Sequence, residues 1–117
     1  MRDRRAAEAM GLAGEDSAAR WLEQHGWHIL DRRVRTRAGE VDLIAARPGL
    51  IAFVEVKLRA TPADLDFAID EHRLARVAAA AEALAHRYAT DGQDIRIDVL
   101  LIAPGHPPRH IENAWIG

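Results

Sequence analysis

The stretch "GEVDLIAARPGLIAFVEVKLR", residues 39–59, decides how this chain folds. Two apolar runs flank "RPG", residues 47–49, and proline followed by glycine between β-prone runs is turn punctuation, so the segment reads as an antiparallel hairpin. Side chains alternate across a strand, which puts Phe53, Glu55 and Lys57 on one face and Val54, Val56 and Leu58 on the other. A carboxylate and an ammonium then project from one side of an otherwise apolar element. If Arg47 to Leu50 form a four-residue loop, Ala46 pairs with Ile51, Asp42 faces Glu55 and Glu40 faces Lys57, with all four charged groups on one face. A three-residue loop with a bulge would instead send Asp42 to the opposite face. In the first register two like charges sit with Cβ atoms about 5 Å apart, which destabilises a sheet unless something positive lies between them. A divalent cation would resolve the conflict.

Upstream of the hairpin, Ala7, Met10, Gly14, Ala18, Trp21 and Leu22 recur at helical spacing between about Arg5 and His25, and Gly26 is a C-terminal stop. "WHILDRRVR", residues 27–35, follows as a strand. Downstream, "ATPADLDF" reads as a loop and Asp70 as the N-cap of a second helix with an apolar stripe of Leu74, Val77, Ala78, Ala81, Leu84, Ala85 and Tyr88. "IRIDVLLIA" is a further strand, and after the breaker "PGHPPRH" a short final strand is predicted in "HIENAWI".

The chain has 117 residues, 49% of them hydrophobic and 29% charged, which fits one globular domain over residues 1–117. The absence of cysteine excludes disulfides, thiolate metal sites and thiol nucleophiles. "MRDRRAAEAMGLAGED" carries basic residues without the apolar core of a signal peptide, and no run could span a bilayer, so the expected location is cytoplasmic with no membrane partner. A net charge of -2 gives no global attraction for nucleic acid, so any such binding must come from local clusters. The six histidines do not pair at zinc-site spacing: His25 and His28 straddle a helix stop, His106 and His110 straddle Pro107 and Pro108, and His72 and His86 read as helix-surface residues.

Of the 16 cationic residues, 15 are arginine, so Lys57 is the only lysine. Lysine is a compact charge whose pKa can be lowered, so it can orient or deprotonate a water; guanidinium does not give up its proton. The alternative for Glu55 and Lys57 is a solvent-facing ladder of surface ion pairs, worth little energetically. Against it, Val54, Val56 and Leu58 predict a central strand covered on both faces, and Asp42 lies inside the equally apolar "VDLIA".

"GEVDLIA" followed after a short turn by "FVEVKLR" resembles the PD-(D/E)XK nuclease signature, in which an acid on one strand and an acid-x-Lys on the next hold Mg²⁺ and an attacking water. The ordered series "GLAGEDSAARWLEQHGWHIL", "GEVDLIA", "FVEVKLR", "RLARVAAAAEAL", "RIDVLLI" and "HIENAW" is similar, nearly end to end, to the YraN-like family of small bacterial predicted endonucleases, akin in pattern to Holliday junction resolvases. The resemblance implies an α/β fold with a restriction-endonuclease-like three-layer core: a mixed central sheet of about five strands flanked by helices. It also implies Asp42 and Glu55 as metal ligands, Lys57 as the residue that positions or deprotonates water, and Glu15 as the acid of the first helix. Glu15 has a local argument too, since its helical neighbours are Gly11, Ala18, Ala19 and Leu22; the alternative is a surface glutamate, the reading that suits Asp16 with Arg20 four residues on. Glu40 would bind metal through water or pair with Lys57. The chain departs from the family pattern with Val41 in place of proline before Asp42, Arg73 in place of lysine, Arg33 in place of asparagine, and no glycine in "ATPADLDFA".

Mg²⁺, or Mn²⁺ in its place, takes oxygen ligands and keeps several waters, so two carboxylates and a strand carbonyl such as that of Val56 would suffice for phosphodiester hydrolysis. Substrate binding would fall to Arg32, Arg33, Arg35 and Arg37 in "DRRVRTR", extended by Arg59, Arg73 and Arg76; an arginine run on a strand is otherwise a solubilising edge. With three tryptophans, one tyrosine and two phenylalanines no stacking platform for single strands is evident, which favours duplex or branched DNA as partner. Two function classes follow: a metal-dependent, structure-selective endonuclease, as a homodimer by analogy, and a nucleic-acid- or partner-binding module that keeps the fold without the activity.

Overall fold

The computed structural model describes residues 4–65 and 69–115, with the side chains of residues 4–13 and 65 outside that description. The elements are α1 (Arg4–Gln24), β1 (His28–Arg35), β2 (Glu40–Arg47), β3 (Leu50–Leu58), α2 (Pro62–Leu65), α3 (Glu71–Tyr88), β4 (Asp94–Ile102) and β5 (Arg109–Ile111). Five strands form one mixed sheet in the order β1-β2-β3-β4-β5, in which β3 and β4 are parallel and the other pairs antiparallel. Among the described residues no helix is long and apolar enough to cross a membrane.

The end of α1 and the start of α3 have local causes. At the end of α1 the N–H groups of His25 and Trp27 donate to the carbonyls of Trp21 and Leu22, and Gly26 takes φ +89, the left-handed conformation that closes a helix most cheaply at glycine. Asp70 caps α3: its backbone is extended and its carboxylate accepts from the His72 N–H at 2.8 Å, satisfying one orphan donor. The segment expected as a loop after β3 contains the short helix α2; Asp66, Phe67 and Ala68 of that segment lie outside the described residues.

The two long helices cover opposite faces. Ala18, Ala19 and Leu22 of α1, all at 0% exposure, pack with Trp27, Leu43, Ala45, Ala52, Val54, Leu100 and Ile102. Leu74, Val77, Ala81 and Leu84 of α3 pack with Val41, Ile44, Ile51, Phe53, Ile97, Val99 and Leu101 on the other side. β3 is thus the central strand, buried on both faces as its apolar run predicts. This three-layer arrangement is compatible with a restriction-endonuclease-like core. Ala7 and Met10, counted in the apolar stripe of the first helix, and Gly11, named as a neighbour of Glu15, lie outside the described side chains. The final strand is shorter than expected: only Arg109–Ile111 pair with β4, a turn follows at residues 112–113, and Ile116 is outside the described residues.

The hairpin takes the four-residue register, Arg47 pairing with Leu50 and Ala46 with Ile51, with Gly49 at φ +78 in the turn. The β2–β3 ladder then stops at Leu43 and Val54. Beyond that point β2 stays with β1, through Val41–Val34 and Glu40–Arg35, while β3 stays with β4 as far as Leu58–Ile102. The sheet forks between its second and third strands. Alternation also slips there: Leu43 packs toward α1, yet Val41, two residues back, packs with Val34 in the α3 cluster. Opposite this slip Arg33 adopts φ +51, a left-handed conformation costing an L-residue about 1 kcal/mol or more. The expected cross-strand pairing of Asp42 with Glu55 and of Glu40 with Lys57 is corrected, because the β2–β3 ladder ends at Leu43–Val54 and Glu40 pairs with Arg35 of β1.

Candidate metal and phosphate site

The fork places the acids. Asp42 sits where β2 leaves β3, and its Oδ2 accepts the Val56 N–H at 2.8 Å, so a side chain takes over as acceptor where the backbone ladder has ended. Glu55, one residue earlier on β3, is 2% exposed, and it is near enough for its charge to act on the Asp42 carboxyl. Burial, then the neighbouring Glu55 charge, push the Asp42 carboxyl up from 3.8 to about 7, against the lowering effect of the Val56 N–H. Lys57 is buried as well, with Nζ 3.0 Å from Glu55 Oε1. From α3, Arg73 brings Nη2 to 3.0 Å and Nε to 3.1 Å of that same oxygen.

A third acid borders the pair from the opposite layer. Glu15, on the buried face of α1 beside Ala18 and Ala19, has its carboxyl raised by burial and adds a further negative field at Asp42. Its Oε2 meets Arg33 Nε at 3.2 Å. Glu40 pairs with Arg35 at 3.1 Å and not with Lys57, and Asp16 pairs with Arg32 of β1 in place of Arg20. Arg76 joins Arg73, Glu40, Glu55 and Val77 in lining a cleft of about 170 Å³. Arg37 is exposed in the turn between β1 and β2, and Arg59 directs its guanidinium to the Leu58 carbonyl at 2.8 Å. The larger cavity, about 450 Å³ between α3, the start of β4 and Trp115, contains none of these acids. His72 and His86 are exposed on α3.

A fully buried aspartate elsewhere in the sheet shows what is unusual about half-buried Asp42. Asp98 in β4, 0% exposed, accepts from Arg96 Nε and Nη2 at 2.8 Å each, from the Asn113 N–H at 2.9 Å, and lies 2.8 Å from His110 Nε2. Burial alone would raise its carboxyl, but the bonds from His110, Arg96 and Asn113 outweigh burial and hold it at about 2. Asp98 is a satisfied structural carboxylate; Asp42 faces another acid. Sequence reading passed over Asp98, although an acid inside the apolar "IDVLLI" is the signal that marked Asp42 in "VDLIA".

Among the described residues no group of three or more His, Cys, Asp or Glu side chains is gathered as a metal cage. What the fork assembles is a pair of carboxylates astride the Val56 backbone, oxygen donors throughout. Such a set fits a hard cation that keeps several waters, Mg²⁺ or Mn²⁺, better than zinc or copper. Without a cation, a proton held by Asp42 relieves the repulsion.

Residues 14–102, the span from the middle of α1 through β4, match the model of a family described as "Uncharacterised protein family UPF0102". The chain is similar to a UPF0102 protein of Erythrobacter litoralis, 63% identical over 96% of this chain and 97% of the relative. A UPF0102 protein of Rhizorhabdus wittichii is 56% identical over 100% of the chain and 99% of the relative, and one of Sphingopyxis alaskensis is 56% identical over 96% and 97%.

Proposed function

We propose that this chain, which belongs to the uncharacterised protein family UPF0102, is a Mg²⁺-dependent endonuclease that hydrolyses phosphodiester bonds in duplex or branched DNA. The observation that carries the reading is the convergence of half-buried Asp42 and buried Glu55, close enough for the Glu55 charge to raise the Asp42 carboxyl, with the chain's sole lysine 3.0 Å from Glu55. Holding two acids side by side, one buried and one half-buried, costs stability, and Asp98 shows that this sheet can satisfy a buried acid fully. Asp42 and Glu55, with the Val56 carbonyl, would hold the cation, which when bound polarises a phosphate and acidifies a water. Lys57 orients that water or takes its proton; Glu15 at the rim supplies further negative charge. Arg73 and Arg76 face the cleft as phosphate contacts, with Arg32, Arg33, Arg35 and Arg37 along the edge strand and its turn. Cutting both strands of a duplex calls for two such sites, which a two-fold pair of chains supplies.

The test is cleavage of linear duplex, flap and four-way DNA in Mg²⁺ or Mn²⁺, comparing the natural protein with Asp42→Ala and Lys57→Ala. Loss of at least about 100-fold in single-turnover rate is expected for each substitution. Cleavage that survives both removes the assignment. One observation favours a second reading, a DNA-binding module without chemistry: arginines already neutralise Glu15, Glu40 and Glu55, so the edge can present a cationic surface with no metal. Metal-independent DNA binding without cleavage in either ion selects that reading.

A further inference from the structure

Two arginines of this fold hold buried carboxylates in different ways. Arg96 grips Asp98 with a fork, Nε on Oδ1 and Nη2 on Oδ2, and its side chain is 20% exposed. Arg73 places both Nε and Nη2 on one oxygen of Glu55, the oxygen that also takes Lys57 Nζ, and its side chain is 59% exposed. Parallel bonds to both oxygens are the strong arrangement for a guanidinium; three donors on a single oxygen, with one side chain largely in water, are an exchangeable one. The cleft beside Arg73 is lined by Glu40 and Glu55 on one wall and by Arg73 and Arg76 on the other. One side suits a cation and the other an anion.

We propose that Arg73 is the resident counter-ion of the cation-free site, seated on Glu55 until a divalent cation loads, and that loading hands Arg73 to the substrate phosphate. This inference rests on the metal-dependent reading above and adds an order to it, cation before nucleic acid. Lys57, buried and adjacent on the same strand, stays with Glu55 throughout; Arg73, reaching in from α3, is the partner able to leave. Arg33 stands in the same relation to Glu15, at 3.2 Å and 45% exposed, on the opposite layer. Because the arginine opposes the cation before loading and assists the phosphate after it, cation and DNA strengthen each other's binding by one common factor.

Calorimetric titration of Ca²⁺ and Mn²⁺ into the full chain, with DNA binding read by fluorescence anisotropy in Ca²⁺, tests the idea without turnover. Arg73→Ala, and Arg73→Gln as a charge-free variant that keeps hydrogen-bonding capacity, should bind the cation about fivefold tighter than the natural protein, the scale of one exposed ion pair. Arg76→Ala removes an equal charge from the same cleft without vacating Glu55 and should change cation affinity by less than about twofold. The gain in DNA affinity on adding Ca²⁺ should be present in the natural protein and in Arg76→Ala and absent in both Arg73 variants. Cation binding by the natural protein that Arg73→Ala leaves unchanged, or that Arg76→Ala tightens equally, overturns this inference alone. No cation binding in any of the proteins overturns the metal-dependent reading and this inference together.

Discussion

Asp42→Asn should make this protein more stable at neutral and alkaline pH, in the absence of divalent cations, and under the proposed endonuclease reading should abolish cleavage. Burial and Glu55 raise the Asp42 carboxyl from 3.8 to about 7, so the folded chain holds a proton that the unfolded chain releases. With the folded value above the unfolded one, the stabilising contribution is complete below about pH 4 and is lost as pH rises through about 7. A difference of about 3 pH units corresponds to a ceiling of about 4 kcal/mol, and water in the partly open cleft screens it to about 2 kcal/mol. Asparagine keeps an oxygen for the Val56 N–H and carries no charge, so it escapes the penalty. In a domain of this size about 2 kcal/mol is a rise of about 8 °C in Tm. Thermal and urea melts in a chelator at about pH 8 and about pH 4 measure it: the gap should be near 8 °C at the higher pH and close to zero at the lower. An Asp42→Asn variant no more stable than the natural chain at about pH 8, or a gap that ignores pH, would show that Asp42 and Glu55 do not repel as argued.

The opposite sign is expected at Asp98, the fully buried aspartate of β4. Asp98→Asn breaks a carboxylate bonded to Arg96, His110 and the Asn113 N–H, leaving Arg96 without its fork, and should cost about 3 kcal/mol or more in urea denaturation. Because the Asp98 carboxyl is held at about 2, its contribution is complete above 3.8 and fades as pH falls toward 2, so the penalty should shrink in acid. Gly39→Ala should lower Tm through packing: a Cβ there would lie 2.9 Å from the Arg76 carbonyl oxygen, forcing α3 away from the β1–β2 turn at a cost of about 1–3 kcal/mol. The same displacement would move Arg73 and Arg76, so under the proposed function DNA affinity should fall with stability in that variant.

What the sequence by itself determined is what neighbours along the chain control. The Pro48–Gly49 turn marked the hairpin and narrowed its register to two, of which the structure takes Ala46 on Ile51; Asp70 announced the start of α3, and the two-sided apolar character of "FVEVK" made β3 the central strand. Each is a matter of a few adjacent residues and their period, and the approach of Asp42 to Glu55 followed from counting outward along that hairpin. Only the tertiary structure decided where counting fails. The β2–β3 ladder ends at Leu43, where the Asp42 side chain takes over as acceptor of the Val56 N–H, and Val41 and Val34 enter the core beneath α3. The partners of the acids are likewise distant in sequence: Arg73 on Glu55, Arg33 on Glu15 and Arg96 with His110 on Asp98 are set by how α1, α3 and the strands pack. Periodicity fixes which way a side chain leaves its own element, whereas a buried charge is settled by whichever counter-charge another layer brings within reach.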